Sequence, residues 1–260
     1  MSLVEEVLTL FSYLWYLLFF KKVGGPLKLQ VVSDLHLEEF GPQAEYQNFQ
    51  IPVRAEYLVL AGDIGRATSL EHIEGYQQFL KRQCDKFELV FLIAGNNEFK
   101  YNEKDDGIQT GLRNLRSLAR DPVMRGRLIF MENHSYDFDS DGYKVTILGC
   151  TLWARHRDDQ PYAADTDRTI RGWGTRGNNK THDESFEWLT RRVKQIRADP
   201  KNEKRKIIVL THHSPSIFGT SFPRFNGSEG SGPERVWSNY QNNILGPGGI
   251  GLEGLKEGDV

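Results

Sequence analysis

Four short apolar runs in this chain each end in a polar residue able to bind a metal ion. Val31-Val32 leads into Ser33-Asp34-Leu35-His36, and YLVLAG leads into Asp63. LVFLIAG leads into Asn96, and KIIVLT into His212. Apolar, β-branched runs of this kind read as buried strands. Between the second and third runs, Ile73, Tyr76, Phe79, Leu80 and Cys84 recur at helical spacing, with Ser69 placed to cap the start. After the third run, Ile108, Leu112, Leu115 and Leu118 do the same, and the pattern stops before Pro122. Strands separated by helices are joined by crossovers and run parallel. In such sheets, sites form outside the carboxyl ends of the strands. The polar residues, far apart in sequence, are therefore predicted to share one crevice. Alternate residues of an extended chain point the same way, so Asp34 and His36 leave their strand together.

The remaining elements follow the same logic. Segments 127–131 and 144–150 read as two more strands, with the acidic segment 137–142 as the turn before the second. Segment 151–180 is long and polar, as functional loops are. Thr181 and Glu184 fit a capping box opening a helix whose core face is Phe186, Leu189, Val193 and Ile196. A second long loop, 214–241, carries Phe218, Phe222, Phe225 and Trp237, which read as a packed lid. His72 falls on an exposed helix face, and His134, His156 and His182 fall in polar loops. These four read as structural or solvent-facing.

Composition narrows the functional classes. Hydrophobic residues make up 38% and charged residues 26%, as in a globular chain. A formal net charge of -2 gives no electrostatic pointer to nucleic acid. Cys84 and Cys150 sit in apolar patterns and read as buried thiols, which suits a reducing, cytoplasmic setting. Segment 7–20 is uncharged yet shorter than the roughly 20 residues that span a bilayer. It reads as a helix, either a membrane-surface anchor or a packed extension. If it anchors, Lys21 and Lys22 favour a cytoplasmic domain after it. Gly24, Gly25 and Pro26 then set the expected boundary: a hydrophobic extension over 1–26 and one folded domain over 27–260.

Carboxylates, imidazoles and an amide oxygen together suit two borderline divalent metals such as Mn, Fe or Zn. A carboxylate such as Asp63 can bridge two ions, and a pair ~4 Å apart supports in-line phosphoryl displacement. In this order, SDLH, GDIG, GNNE and THH resemble the motifs of the calcineurin-like metallophosphoesterases, which include Ser/Thr phosphatase-like enzymes. The resemblance runs from about Leu27 to the end of the chain. It implies an α/β fold of four layers, α/β/β/α, and metal-dependent hydrolysis of phosphomonoesters or phosphodiesters at a dinuclear centre. Asp34 and His36 would then hold the first metal, Asp63 would bridge, and Asn96 and His212 would hold the second. His213 would face the phosphate of a small phosphoester substrate.

Two departures from the family pattern stand out. Asn97 occupies the place of a histidine that contacts phosphate and can protonate the leaving group. An amide donates a hydrogen bond but delivers no proton at neutral pH. Loss of a general acid typically costs ~10²- to 10⁴-fold in rate. The family's final Gly-His-x-His motif is also absent, and the resemblance would place it shortly after Val260. The expectations are therefore missing C-terminal strands and partial metal occupancy. They also include an alternative function, as a catalytically impaired member or truncated product that binds rather than hydrolyses. Surface contact with a membrane through segment 7–20 is a further expectation.

Overall fold

A computed structural model of the chain describes residues 17–22, 25–39, 44–100, 107–139, 144–156, 170, 173–216, 242, 244–245, 251–256 and 259. Strands β1 (Leu17–Lys22) and β2 (Gly25–Val32) come first, then α1 (Ala44–Asn48), β3 (Tyr57–Ala61), α2 (Leu70–Lys86) and β4 (Leu89–Ile93). There follow α3 (Gly107–Arg120), β5 (Leu128–Phe130), β6 (His134–Phe138), β7 (Val145–Cys150), α4 (Thr175–Ala198) and β8 (Lys206–Thr211). They form a five-stranded sheet in the order β1-β2-β3-β4-β5 and a three-stranded sheet in the order β6-β7-β8. From β2 to β5 all neighbours are parallel, as the intervening helices require.

Strand alternation sorts the core into three seams and so builds four layers. Leu58, Leu60, Val90 and Leu92 face α2 and α3, where Tyr76, Phe79, Leu80 and Leu115 are fully buried. The alternate residues Val59, Phe91 and Ile93 face the other sheet and meet Phe138, Val145, Ile147 and Ile208. Phe91 packs edge-on against Tyr136 and Phe138, with ring centroids 5.3 and 6.1 Å apart. On the outer face of the second sheet, Leu148, Cys150 and Ile207 pack on Leu189, Val193 and Ile196 of α4. The architecture is the expected α/β/β/α sandwich. Both cysteines are free and buried, as their apolar surroundings predict.

Several local expectations give way to tertiary context. The helix predicted over 7–20 is not what its last residues form. Leu17–Lys22 make strand β1, antiparallel to β2 from Leu17 opposite Gln30 to Lys22 opposite Gly25. An available sheet edge outweighs a helical preference in so short a stretch. Segment 7–16 lies outside the described residues. Among the described residues, no helix is long and apolar enough to cross a membrane. The predicted turn over 137–142 begins later, because Asp137 and Phe138 belong to β6. That strand is half polar in sequence and owes its form to pairing with β7.

Thr181 does not cap a helix, because α4 already starts at Thr175 behind Gly174. Its early turns are held by tertiary bonds: Asn178 Nδ2 donates to Ala154 O, and His182 Nδ1 meets Trp153 O at 2.7 Å. His182 is thus a buried helix residue rather than a loop residue. His72 is buried as well, under Tyr46 with ring centroids 6.1 Å apart, where the sequence predicted exposure. His134 is exposed on β6, and His156 is buried. The aromatic residues predicted to form a lid, Phe218, Phe222, Phe225 and Trp237, lie outside the described residues.

Candidate metal centre

The carboxyl ends of β2, β3 and β4 lie side by side, and the loops leaving them are laced together. Asp34 N donates to Gly62 O at 3.0 Å, His36 N to Asp63 O at 3.0 Å, and Leu37 N to Ile64 O at 3.1 Å. This lacing holds Asp34, His36 and Asp63 at φ of 55°, 46° and 53°. Left-handed backbone at three non-glycine residues is costly, and it clusters where side chains must be aimed. Two glycines make room. A Cβ on Gly62, itself at φ 93°, would overlap the His212 ring, and one on Gly95 would overlap the Asp63 carboxylate.

His212 arrives from β8 in the other sheet. Ligand atoms of Asp34, Asp63 and His212 all lie within 4.8 Å of one another. His212 Nε2 is 3.5 Å from Asp63 Oδ1, and His36 Nε2 is 3.8 Å from Asp63 Oδ2. The far nitrogens are anchored: His212 Nδ1 sits 2.9 Å from Ala61 O, and His36 Nδ1 sits 3.3 Å from Glu38 Oε1. A carbonyl and a carboxylate only accept, so each Nδ1 carries a hydrogen and each Nε2 faces Asp63, free to carry a proton there or to bind a metal ion. Imidazole nitrogens on both sides of one carboxylate call for positive charge between them, supplied by protons or by a metal ion. The donor set and this orientation fit a divalent metal.

The local electrostatics agree. Burial would depress His36, but its bond to Glu38 and the charges of Asp63 and Asp34 outweigh this and raise it to about 9. His212 is raised likewise, against burial, chiefly by Asp63 and then Asp34. For Asp63, burial acts upwards, but His212, the Asn97 N–H and His36 hold its carboxyl below the usual range. Positive charge is favoured around Asp63 from every side.

Asn97 and Glu98 complete the frame. Asn97 donates its backbone N–H to Asp63 Oδ1 at 2.8 Å and its side-chain amide to Oδ2. Its Oδ1 accepts from Lys100 Nζ at 2.7 Å. Glu98 is fully buried, and every contact it makes is a donor. Oε1 accepts from Ile64 N (2.8 Å), Gly65 N (3.3 Å) and Tyr76 Oη (3.1 Å), and Oε2 from Asp63 N (3.0 Å) and Gly95 N (2.7 Å). Burial and the Asp63 charge push Glu98 up to about 7, against the Ile64 and Gly95 N–H groups. With donors filling both oxygens, the ionised form suits the site.

The other predicted site residues fall as follows. Asn96 is buried at the end of β4, opens the 3-10 turn Asn97–Phe99 and makes no side-chain cap bond to it. His213 stacks on Trp153 at 5.5 Å and donates its backbone N–H to Thr151 O at 3.1 Å. Burial, then the neighbouring His212, pushes its imidazole down to about 3, so the ring is neutral. Sequence reasoning gave no role to Glu98 or Lys100. The Gly-Asn-x-Glu pattern signals the first, and no local pattern signals the second.

Comparison with known proteins bears on this geometry. The family model described as "Calcineurin-like phosphoesterase" matches residues 27–244. "Uncharacterized protein L509" of Acanthamoeba polyphaga mimivirus is 26% identical over 202 residues, covering 72% of this chain and 68% of that protein. Among solved structures, the phosphopantetheinyl hydrolase PptH from Mycobacterium tuberculosis aligns with a TM-score of 0.47 and 18% identity, over 72% of this chain and 68% of its own. Since the family match takes in the four strand ends and the residues gathered there, the chain belongs to the calcineurin-like phosphoesterase family of metal-dependent hydrolases.

Proposed function

We propose that this chain hydrolyses small phosphomonoesters or phosphodiesters at a dinuclear centre built on Asp63. The observation that carries the reading is the pair of anchored imidazoles, His36 and His212, whose Nε2 atoms flank one carboxylate at 3.8 and 3.5 Å. Asp34, His36 and Asp63 would hold one ion, and Asp63, Asn96 and His212 the other. Divalent ions bound there supply positive charge to the phosphoryl oxygens and an activated water. The protein's own share is positional. Glu98 fixes the loops that carry Asp63 and Gly95. Asn97 holds the Asp63 carboxylate and stands where the phosphate is expected. His213, neutral and stacked on Trp153, lines the phosphate side and fixes orientation rather than moving a proton. The catalytic domain is taken to run over 27–260 in a cytoplasmic protein, with 1–26 as an extension whose strand β1 pairs onto the edge of its sheet.

The test pairs elemental analysis with hydrolysis of p-nitrophenyl phosphate and bis(p-nitrophenyl) phosphate, after supplying Mn, Fe or Zn. Metal-dependent turnover of at least one ester, abolished by EDTA, is expected. Occupancy below two ions per chain is expected without added metal. Bound metal with no turnover of either ester would favour a binding role.

A related expectation concerns Asn97. A leaving alkoxide needs a proton, whereas a nitrophenolate departs without help. In a chain that also carries the Gly-His-x-His motif, Asn97→His is therefore expected to raise turnover of alkyl phosphates about tenfold or more and that of nitrophenyl esters about twofold or less, and to gain little otherwise. Equal gains on both substrates would exclude a general acid at this position.

A further inference from the structure

Lys100 is a buried cation beside the centre with no anion to pair with among the described residues. It is 7% exposed. Its Nζ donates to Asn97 Oδ1 at 2.7 Å, and the same amide donates to the Asp63 carboxylate. The backbone is pinned on both sides: Lys100 N donates to Asn97 O at 3.3 Å, and Thr68 Oγ1 donates to Lys100 O. Among the described residues no carboxylate forms an ion pair with Nζ. An ammonium buried against a neutral amide alone carries a desolvation cost without a matching charge. One of its three hydrogens serves Asn97, and two remain for an incoming acceptor. The Asn97 amide, engaged at both ends, acts as a spacer between the Asp63 carboxylate and this ammonium.

We propose that Lys100 is an anion-binding residue of this site. It takes a non-bridging oxygen of the substrate's phosphate group and favours doubly charged phosphomonoesters over singly charged phosphodiesters. The inference rests on the hydrolytic reading above. Coulomb attraction scales with the charge of the bound group, so one fixed cation near the phosphate discriminates by charge state. A charge-assisted hydrogen bond to phosphate is about twice as strong as a neutral one. The position also accounts for Asn97. Its amide accepts from Lys100 through the oxygen and donates to Asp63 through the nitrogen, so it suits both neighbours at once.

The test compares wild type with Lys100→Met and Lys100→Arg in three readouts: calorimetric binding of inorganic phosphate, kinetics on the two nitrophenyl esters, and melting temperature. Lys100→Met is expected to weaken phosphate binding about 10- to 100-fold. It should raise KM for the monoester more than for the diester and leave the melting temperature unchanged or higher, since a buried charge with no ion pair among the described residues is removed. Lys100→Arg should restore most of the phosphate affinity. Phosphate affinity within twofold of wild type, or equal losses on both esters, would overturn the assignment. So would a drop in melting temperature that Arg does not reverse, which would make Lys100 only a structural partner of Asn97. Should Lys100→Met fail to fold, Lys100→Gln takes its place, and misfolding of both would likewise make Lys100 a structural partner only. If wild type binds phosphate yet hydrolyses neither ester, the hydrolytic reading fails, and Lys100 is judged by calorimetry alone. If wild type binds no phosphate, the assignment falls with it.

Discussion

Glu98→Ala is expected to destabilise the fold strongly, by about 4 kcal/mol or more. The side chain is 0% exposed and accepts from four backbone N–H groups and the Tyr76 hydroxyl. Truncation strands all five donors in a closed space. Each buried, unsatisfied donor costs about 1–3 kcal/mol, although water entering the gap recovers part of the sum. A domain of this kind is stable by roughly 5–15 kcal/mol, so the variant should be largely unfolded or melt many degrees lower. Glu98→Gln is the finer probe. It keeps the shape but sets an NH₂ group against at least the two donors that face one carboxylate oxygen. A cost of about 2–4 kcal/mol is expected. Urea denaturation measures both, and a Glu98→Gln loss below about 1 kcal/mol would show that the carboxylate is not an internal tie.

The second large effect is functional. Asp63→Asn keeps the volume but turns one of the two oxygens that accept from Asn97 into a donor, and it removes the charge that His36 and His212 flank. Disturbing the outer partners of a metal ligand already costs about 10- to 100-fold, so losing a shared ligand should cost at least ~100-fold in metal affinity and hydrolysis. Stability supplies an independent readout. A metal present at about 100 times its dissociation constant adds roughly 2.7 kcal/mol to the folded state. Wild type should therefore melt higher with Mn or Zn than with EDTA, and Asp63→Asn should show little of that increase. A wild-type-sized metal shift in the variant would remove Asp63 from the centre.

The difference between these two residues shows what the sequence could and could not say. Asp63 was legible because it ends an apolar strand, and neighbouring parallel strands bring their carboxyl ends to one edge. Asp34 and His36 were legible for the same reason, and the structure sets both beside Asp63. Glu98 belongs to the same motif as Asn96, yet its burial and its five donors come from residues 3 to 35 positions away. Nothing local in the sequence says that a carboxylate there is an internal tie rather than a surface charge.

The same division runs through the fold. Periodicity determined the strands, the two helices between them and hence the α/β class, because a repeat of 2.0 or 3.6 residues reports which faces are apolar. It could not assign β8 to a separate sheet from β2–β4, nor bring His212 Nδ1 to Ala61 O, 151 residues away. It missed β1 and β6, whose form depends on the strand each one pairs with. It misjudged His72 and His182, polar residues whose burial rests on partners from other elements. By itself the sequence determined the strand ends and the kinds of polar residue they carry. Only the tertiary structure decided which polar groups meet and which are enclosed, because hydrogen bonds and charge pairs form between surfaces that exist once the apolar seams have closed.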